Sequence, residues 1–175
     1  MILRHLIISS ICVALLPLSQ CKAQDAGSQR YEVRVRSQVA LDILRGPQQQ
    51  NHPGTSDDIV FDNSVWLAQC TSNRGCTVTF ETDHAFQHTI HTQQKRDAAI
   101  EFRRVFGSFG SGWTIDQASD QTDYQSGNEQ ASIQVSSRSS GLAFLLLRIR
   151  FITGDPQTLA GGRYRMTVIG TITEN

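Results

Sequence analysis

Apolar residues recur at every second position in a series of short stretches of this chain, and that periodicity commits it to β structure. The longest run covers residues 31–43: Tyr31, Val33, Val35, Val39, Leu41 and Ile43 share one parity, while Glu32, Arg34, Arg36, Gln38 and Asp42 hold the other. Successive side chains on a strand point to opposite faces, so one set is expected in the core and the other in water. Residues 98–102 repeat the pattern, as do Ala131, Ile133 and Val135 against Ser132, Gln134 and Ser136. Residues 142–147 are apolar at every position, which predicts a central strand covered on both sides; alternation resumes through Ile149 and Phe151, with Arg148 and Arg150 outward. A final strand is expected over residues 163–173, with Tyr164, Met166, Val168 and Ile172 inward. Turn-forming stretches at 46–55, 107–112 and 139–141 separate these runs. Many short strands without a sustained helical period predict an all-β fold, an antiparallel sandwich of about seven to nine strands rather than a barrel.

Residues 65–70 and 76–81 read as two further strands joined by residues 71–75. Setting Cys70 opposite Cys76 also sets Ala68 opposite Val78 and Trp66 opposite Phe80, with all six side chains on one face. A disulfide and an aromatic pair that agree on one register predict a β-hairpin clipped by a local, structural Cys70–Cys76 bridge.

The N-terminus has a different character. Arg4 precedes residues 6–18, rich in Ile, Leu and Val, a stretch too short to span a bilayer but fitting the apolar region of a secretory signal peptide. Cleavage after Ala23 places Cys21 and Ala23 at the small-residue positions, dividing the chain into a signal peptide, 1–23, and one domain, 24–175. Residues 18–21 also resemble a lipoprotein processing site, but Gln20 stands where such sites take a small residue, which argues against a lipid anchor at Cys21. The expected location is therefore secreted, periplasmic or cell-surface. Cleavage removes Cys12 and Cys21, leaving Cys70 and Cys76 to pair in an oxidising compartment. It also removes Arg4 and Lys22 from a chain with 16 basic and 16 acidic residues, for a net charge of −2. Such a chain has no electrostatic footprint for nucleic acid. With 39% hydrophobic residues it is too apolar for a disordered protein. No long apolar run follows residue 18, so no membrane-spanning helix is expected.

Few residues suggest chemistry. His84, His88 and His91 would share one face if residues 83–96 were helical, with Asp83 and Asp97 as further oxygen donors for a metal. The segment carries no His-Glu-x-x-His arrangement, and a solvated loop or short helix is the simpler reading. Asp116, Asp120, Asp123 and Glu129 lack the alternation of a calcium loop. There is no Gly-x-Ser-x-Gly elbow and no Cys-x-x-Cys pair. Trp66 has a core partner in the register above, so Trp113, beside a glycine-rich loop, is the candidate platform for stacking a sugar. The reading is non-enzymatic and needs no cofactor.

The closing stretch Leu159-Ala160-Gly161-Gly162-Arg163-Tyr164-Arg165-Met166-Thr167-Val168-Ile169-Gly170-Thr171-Ile172-Thr173 resembles the last strand of exported bacterial pilin-like and spore-coat-U-like proteins. The resemblance extends to the signal peptide and the first alternating strand. It implies an immunoglobulin-like sandwich that builds a surface fibre or coat, with self-assembly or another surface protein as the partner. Two alternatives stand beside that expectation: an extracellular module that binds a glycan or other ligand through Trp113, and an exported metal-dependent hydrolase using His84, His88 and His91.

Overall fold

The computed structural model describes residues 38–45 and 48–175. The signal segment 1–23 with Cys21 and Ala23, and positions 31–37 of the first alternating run, lie outside the described residues. Thirteen strands occur among those described, and no helix among them is long and apolar enough to cross a membrane. In chain order they are β1 (Val39–Ile43), β2 (Ile59–Val60), β3 (Ser64–Cys70), β4 (Cys76–Thr82), β5 (Phe86–His88), β6 (Lys95–Arg96) and β7 (Ala98–Gly107). There follow β8 (Thr114–Gln117), β9 (Ser119–Gln121), β10 (Ser132–Ser136), β11 (Gly141–Phe151), β12 (Tyr164–Arg165) and β13 (Val168–Glu174). Seven of these, β1, β3, β4, β7, β10, β11 and β13, have five residues or more and carry the architecture.

The fold is an antiparallel β-sandwich. A six-stranded sheet runs β1-β3-β11-β7-β9, with β2 also on β11, and a four-stranded sheet runs β13-β4-β10-β8. Between them lies the main core, to which the first sheet gives Trp66, Ala68, Ile100, Phe102, Ala143, Leu145 and Leu147 and the second gives Val78, Phe80, Ile133 and Val135. These are the inward members of the alternating runs, as the period-two pattern requires. β8 and β9 are separated only by Ala118, so one stretch of chain crosses from the second sheet to the first and closes that side. A small third sheet, β12-β5-β6, sits at the end away from the disulfide, over a second cluster of Phe86, Ala98 and Phe151.

The cysteine-registered hairpin is corrected. β3 and β4 belong to different sheets: β3 pairs with β1 and β11, and β4 with β10 and β13. The contacts read from the register are nevertheless present. Cys70 and Cys76 form a disulfide with Cα atoms 6.1 Å apart. The Trp66 and Phe80 ring centroids lie 5.0 Å apart, edge to face. Two strands that face one another across a core bring the same partners together as two strands side by side, so the cysteine and aromatic pairs are common to both arrangements. The turn at residues 71–75 is an arch between sheets, and the disulfide closes the sandwich at that end. Opening it with Cys70→Ala and Cys76→Ala together is expected to cost about 2 kcal/mol by the loop-entropy relation for so short a loop. The shift would be read as a lower denaturant midpoint with an unchanged slope.

Three other expectations also change. The final strand breaks at Met166 and Thr167 into β12 and β13; Tyr164 and Met166 pack on the second cluster, while Val168 and Ile172 pack on the main core. Ile43, at the sheet edge, is 58% exposed. The strand of residues 142–147 is central, as β11, yet only its inward side is buried: Leu142 and Phe144 are each 44% exposed.

Candidate functional site

The residues singled out for metal chemistry come together only in pairs, His84 Nε2 with Asp83 Oδ2 at 3.5 Å and the His88 ring with that of His91. Residues 83–96 form no helix; they make the β5–β6 hairpin and its approach. His88 is 2% exposed and both ring nitrogens are engaged. Its Nδ1 accepts the backbone N–H groups of Ile90 and His91, at 3.1 and 2.9 Å, so Nε2 carries the proton and donates to the Gly161 carbonyl at 3.2 Å. Gly162 packs on this ring so closely that a Cβ there would lie 2.1 Å from Nε2. Tyr164 meets the same ring edge to face, with centroids 5.2 Å apart. His88 is thus a structural pin for the turn of residues 89–94. His84 donates from Nδ1 to the Ala85 carbonyl at 2.6 Å, and the His91 ring lies 5.0 Å from that of His88. Asp83 and Asp97, the candidate oxygen donors, are taken by Thr167 N and by Thr122 Oγ1 and Tyr124 N. Among the described residues no group of three or more His, Cys, Asp or Glu side chains is placed to hold a metal ion. Replacing His88 with alanine strands two backbone donors and a carbonyl, at an expected cost of about 1–3 kcal/mol for leaving buried groups unpaired. Thermal unfolding of His88→Ala checks this.

The acidic residues 116–129 also serve local structure. Asp116 accepts from Ser136 Oγ at 3.1 Å, and Asp120 accepts from Ser132 N at 2.8 Å. Asp123 caps a short 3₁₀ turn, and hydrogen bonds from the Ser126 side chain and backbone hold its carboxyl below the ordinary carboxylate range. Trp113 is half-buried rather than projecting. It packs on the main core and against Gly107, where a Cβ would lie 2.5 Å from its Cδ1.

What remains is the outer surface of the six-stranded sheet, which the sequence reading expected to be covered. The register lays its outward side chains in rows: Ala40, Gln69 and Leu142; then Asp42, Leu67, Phe144 and Phe106; then Val65, Leu146 and Arg104. Phe106 is 49% exposed, similar to Leu142 and Phe144. The Arg104 guanidinium lies over the Phe106 ring, 5.6 Å from its centroid, a cation–π contact. A bulge in β7 where Leu146 and Leu147 of β11 pair turns Arg103 toward the same side, beside a hollow of about 250 Å³ that Arg104, Phe106 and Leu146 also line. Toward the other end the face becomes charged: Glu101 pairs with Arg148 at 3.2 Å and Arg103 at 3.7 Å, and Arg150 reaches Asp58 at 3.8 Å. A second hollow of about 340 Å³ opens there among Glu101, Asp120, Arg148 and Arg150. Both are shallow depressions on a sheet rather than enclosed clefts. Apolar residues contiguous across three neighbouring strands and rimmed by arginines have the makeup of an interaction surface.

This face was half legible in the sequence: the unbroken apolar run 142–147 marked both sides of β11 as apolar, and Phe106 and Leu67 gave no signal of their own. Comparison with protein-family models, curated proteins and solved structures finds no match to the chain.

Proposed function

We propose that this protein is an exported, non-enzymatic structural subunit that works by packing against other molecules at a surface, in the manner of a fibre or coat component. The observation that carries this reading is the apolar outer face of the six-stranded sheet, which the described residues leave about half exposed, with Leu142 and Phe144 on β11 and Phe106 on the adjacent β7. Side chains of that size side by side and about half exposed favour association, since covering the remaining half of each contributes roughly 0.7–1.5 kcal/mol. The secretory leader and the pilin-like, spore-coat-U-like character of residues 159–173 support the same reading from the sequence. The test is sedimentation velocity and negative-stain microscopy on the chain recovered from an exporting, oxidising host. Concentration-dependent multimers or filaments are expected. A single-chain mass at every concentration would contradict the reading.

A further inference from the structure

The outer face of the six-stranded sheet is self-complementary, and we infer that its occupant is the same face of a second copy of this chain. This rests on the assembly reading above and specifies the surface it uses. β11 is 11 residues long, and β1, β3, β11 and β7 lie abreast. With 5, 7, 11 and 10 residues in those strands, at about 3.3 Å per residue and about 4.8 Å per strand, that face offers roughly 520 Å². A stable, specific interface takes about 800 Å² from each partner, so these strands alone supply roughly two thirds of the requirement.

The arrangement of side chains selects a copy of itself over an unrelated partner. A two-fold axis parallel to the strands, between β3 and β11, lays β3 of one copy over β11 of the other and β1 over β7. Leu67 of each copy then meets Phe144 of the second, and Val65 meets Leu146, which makes a dry centre from residues that are otherwise partly wetted. In the same arrangement Asp42 on β1 faces Phe106 on β7, because both stand in one row of the register. The group lying on that Phe106 ring is the guanidinium of Arg104. Asp42 is exposed and Arg104 is exposed, and neither has an ion-pair partner among the described residues. The two-fold gives each the other's charge, twice per dimer, at the rim of the apolar centre. Such isologous pairing is the commonest way for identical chains to associate.

Charge reversal separates this interface from any other. In sedimentation equilibrium on the exported chain, Asp42→Arg and Arg104→Asp are each expected to weaken dimerisation at least tenfold. The double variant Asp42→Arg/Arg104→Asp restores it to within about threefold of the parent, because the pair is re-formed with its signs exchanged. Phe144→Arg is expected to yield a folded monomer, with far-ultraviolet dichroism unchanged since the side chain points outward. A parent that associates while Phe144→Arg associates equally well overturns this face and leaves the assembly reading standing. A double variant no tighter than the singles overturns the two-fold register. A parent that is monomeric throughout, whether the face is bare or covered by the segment preceding Gln38, overturns both.

Discussion

Replacing Phe80 with alanine is expected to destabilise the fold by about 3–5 kcal/mol, the range for removing a fully buried phenyl ring. Phe80 has no exposed surface and lies where the two sheets meet. Its ring contacts Trp66 edge to face at 5.0 Å and Phe102 at 5.9 Å, both from the opposing sheet. Gly170 on the neighbouring β13 leaves the space that this ring, Trp66 and Leu41 fill; a Cβ there would come within 3.0 Å of all three. The ring is therefore held from both sheets and from its own sheet's edge, and no neighbour is free to collapse into the space it vacates. Against a typical domain's margin of about 5–15 kcal/mol that is a fifth or more. Urea titration followed by tryptophan fluorescence measures it, and a loss below about 1 kcal/mol would show that the core is not packed around this ring.

Gly75→Ala should be nearly as damaging, for a backbone reason. Gly75 has φ +87°, the left-handed region that costs a side chain, and a Cβ there would lie 2.0 Å from the Ser137 carbonyl oxygen. That oxygen belongs to main chain held in place, since Ser137 N donates to the Cys76 carbonyl at 2.8 Å and Ser137 Oγ accepts from Cys76 N at 2.9 Å. The Gly75 carbonyl in turn accepts from Asn175 N, tying the last residue to the arch. Strain and displacement together are expected to cost about 3 kcal/mol or more. The same substitution at Gly110, also at positive φ but with nothing within 4 Å of the added carbon, should cost only the conformational part, about 1 kcal/mol. Thermal melts of the two variants side by side isolate the clash.

The period-two pattern was enough to place the inward residues of β3, β4, β10 and β11, because a strand with one buried face has no other way to satisfy alternation. It could not decide which strands are neighbours. Cys70, Ala68 and Trp66 meet Cys76, Val78 and Phe80 in a hairpin and in an arch alike, and only hydrogen bonding tells the two apart. Nor could it say that β11 is buried on one side alone. Apolarity at 142, 144 and 146 is what a strand covered on both sides would also show, and only the exposure of Leu142 and Phe144 separates the two. The region of residues 83–96 misled for a different reason. His84, His88 and His91 have helical spacing, but Phe86 and His88 are buried alternately with Gln87 between them, a three-residue strand too short to announce itself. His88 Nδ1 then replaces the ladder that so tight a turn cannot make.

On the assembly reading proposed above, this protein acts through the outer face of the six-stranded sheet and not through the histidine hairpin or Trp113. Hydroxyl-radical footprinting of the exported chain at low and high concentration tests it directly, since oxidation reports side-chain exposure residue by residue. Protection of Leu67, Leu142, Phe144 and Phe106 that grows with concentration, with His84, His91 and Trp113 unchanged, is the expected result. Protection confined to the histidines or Trp113, with the sheet face oxidised equally at both concentrations, would contradict it.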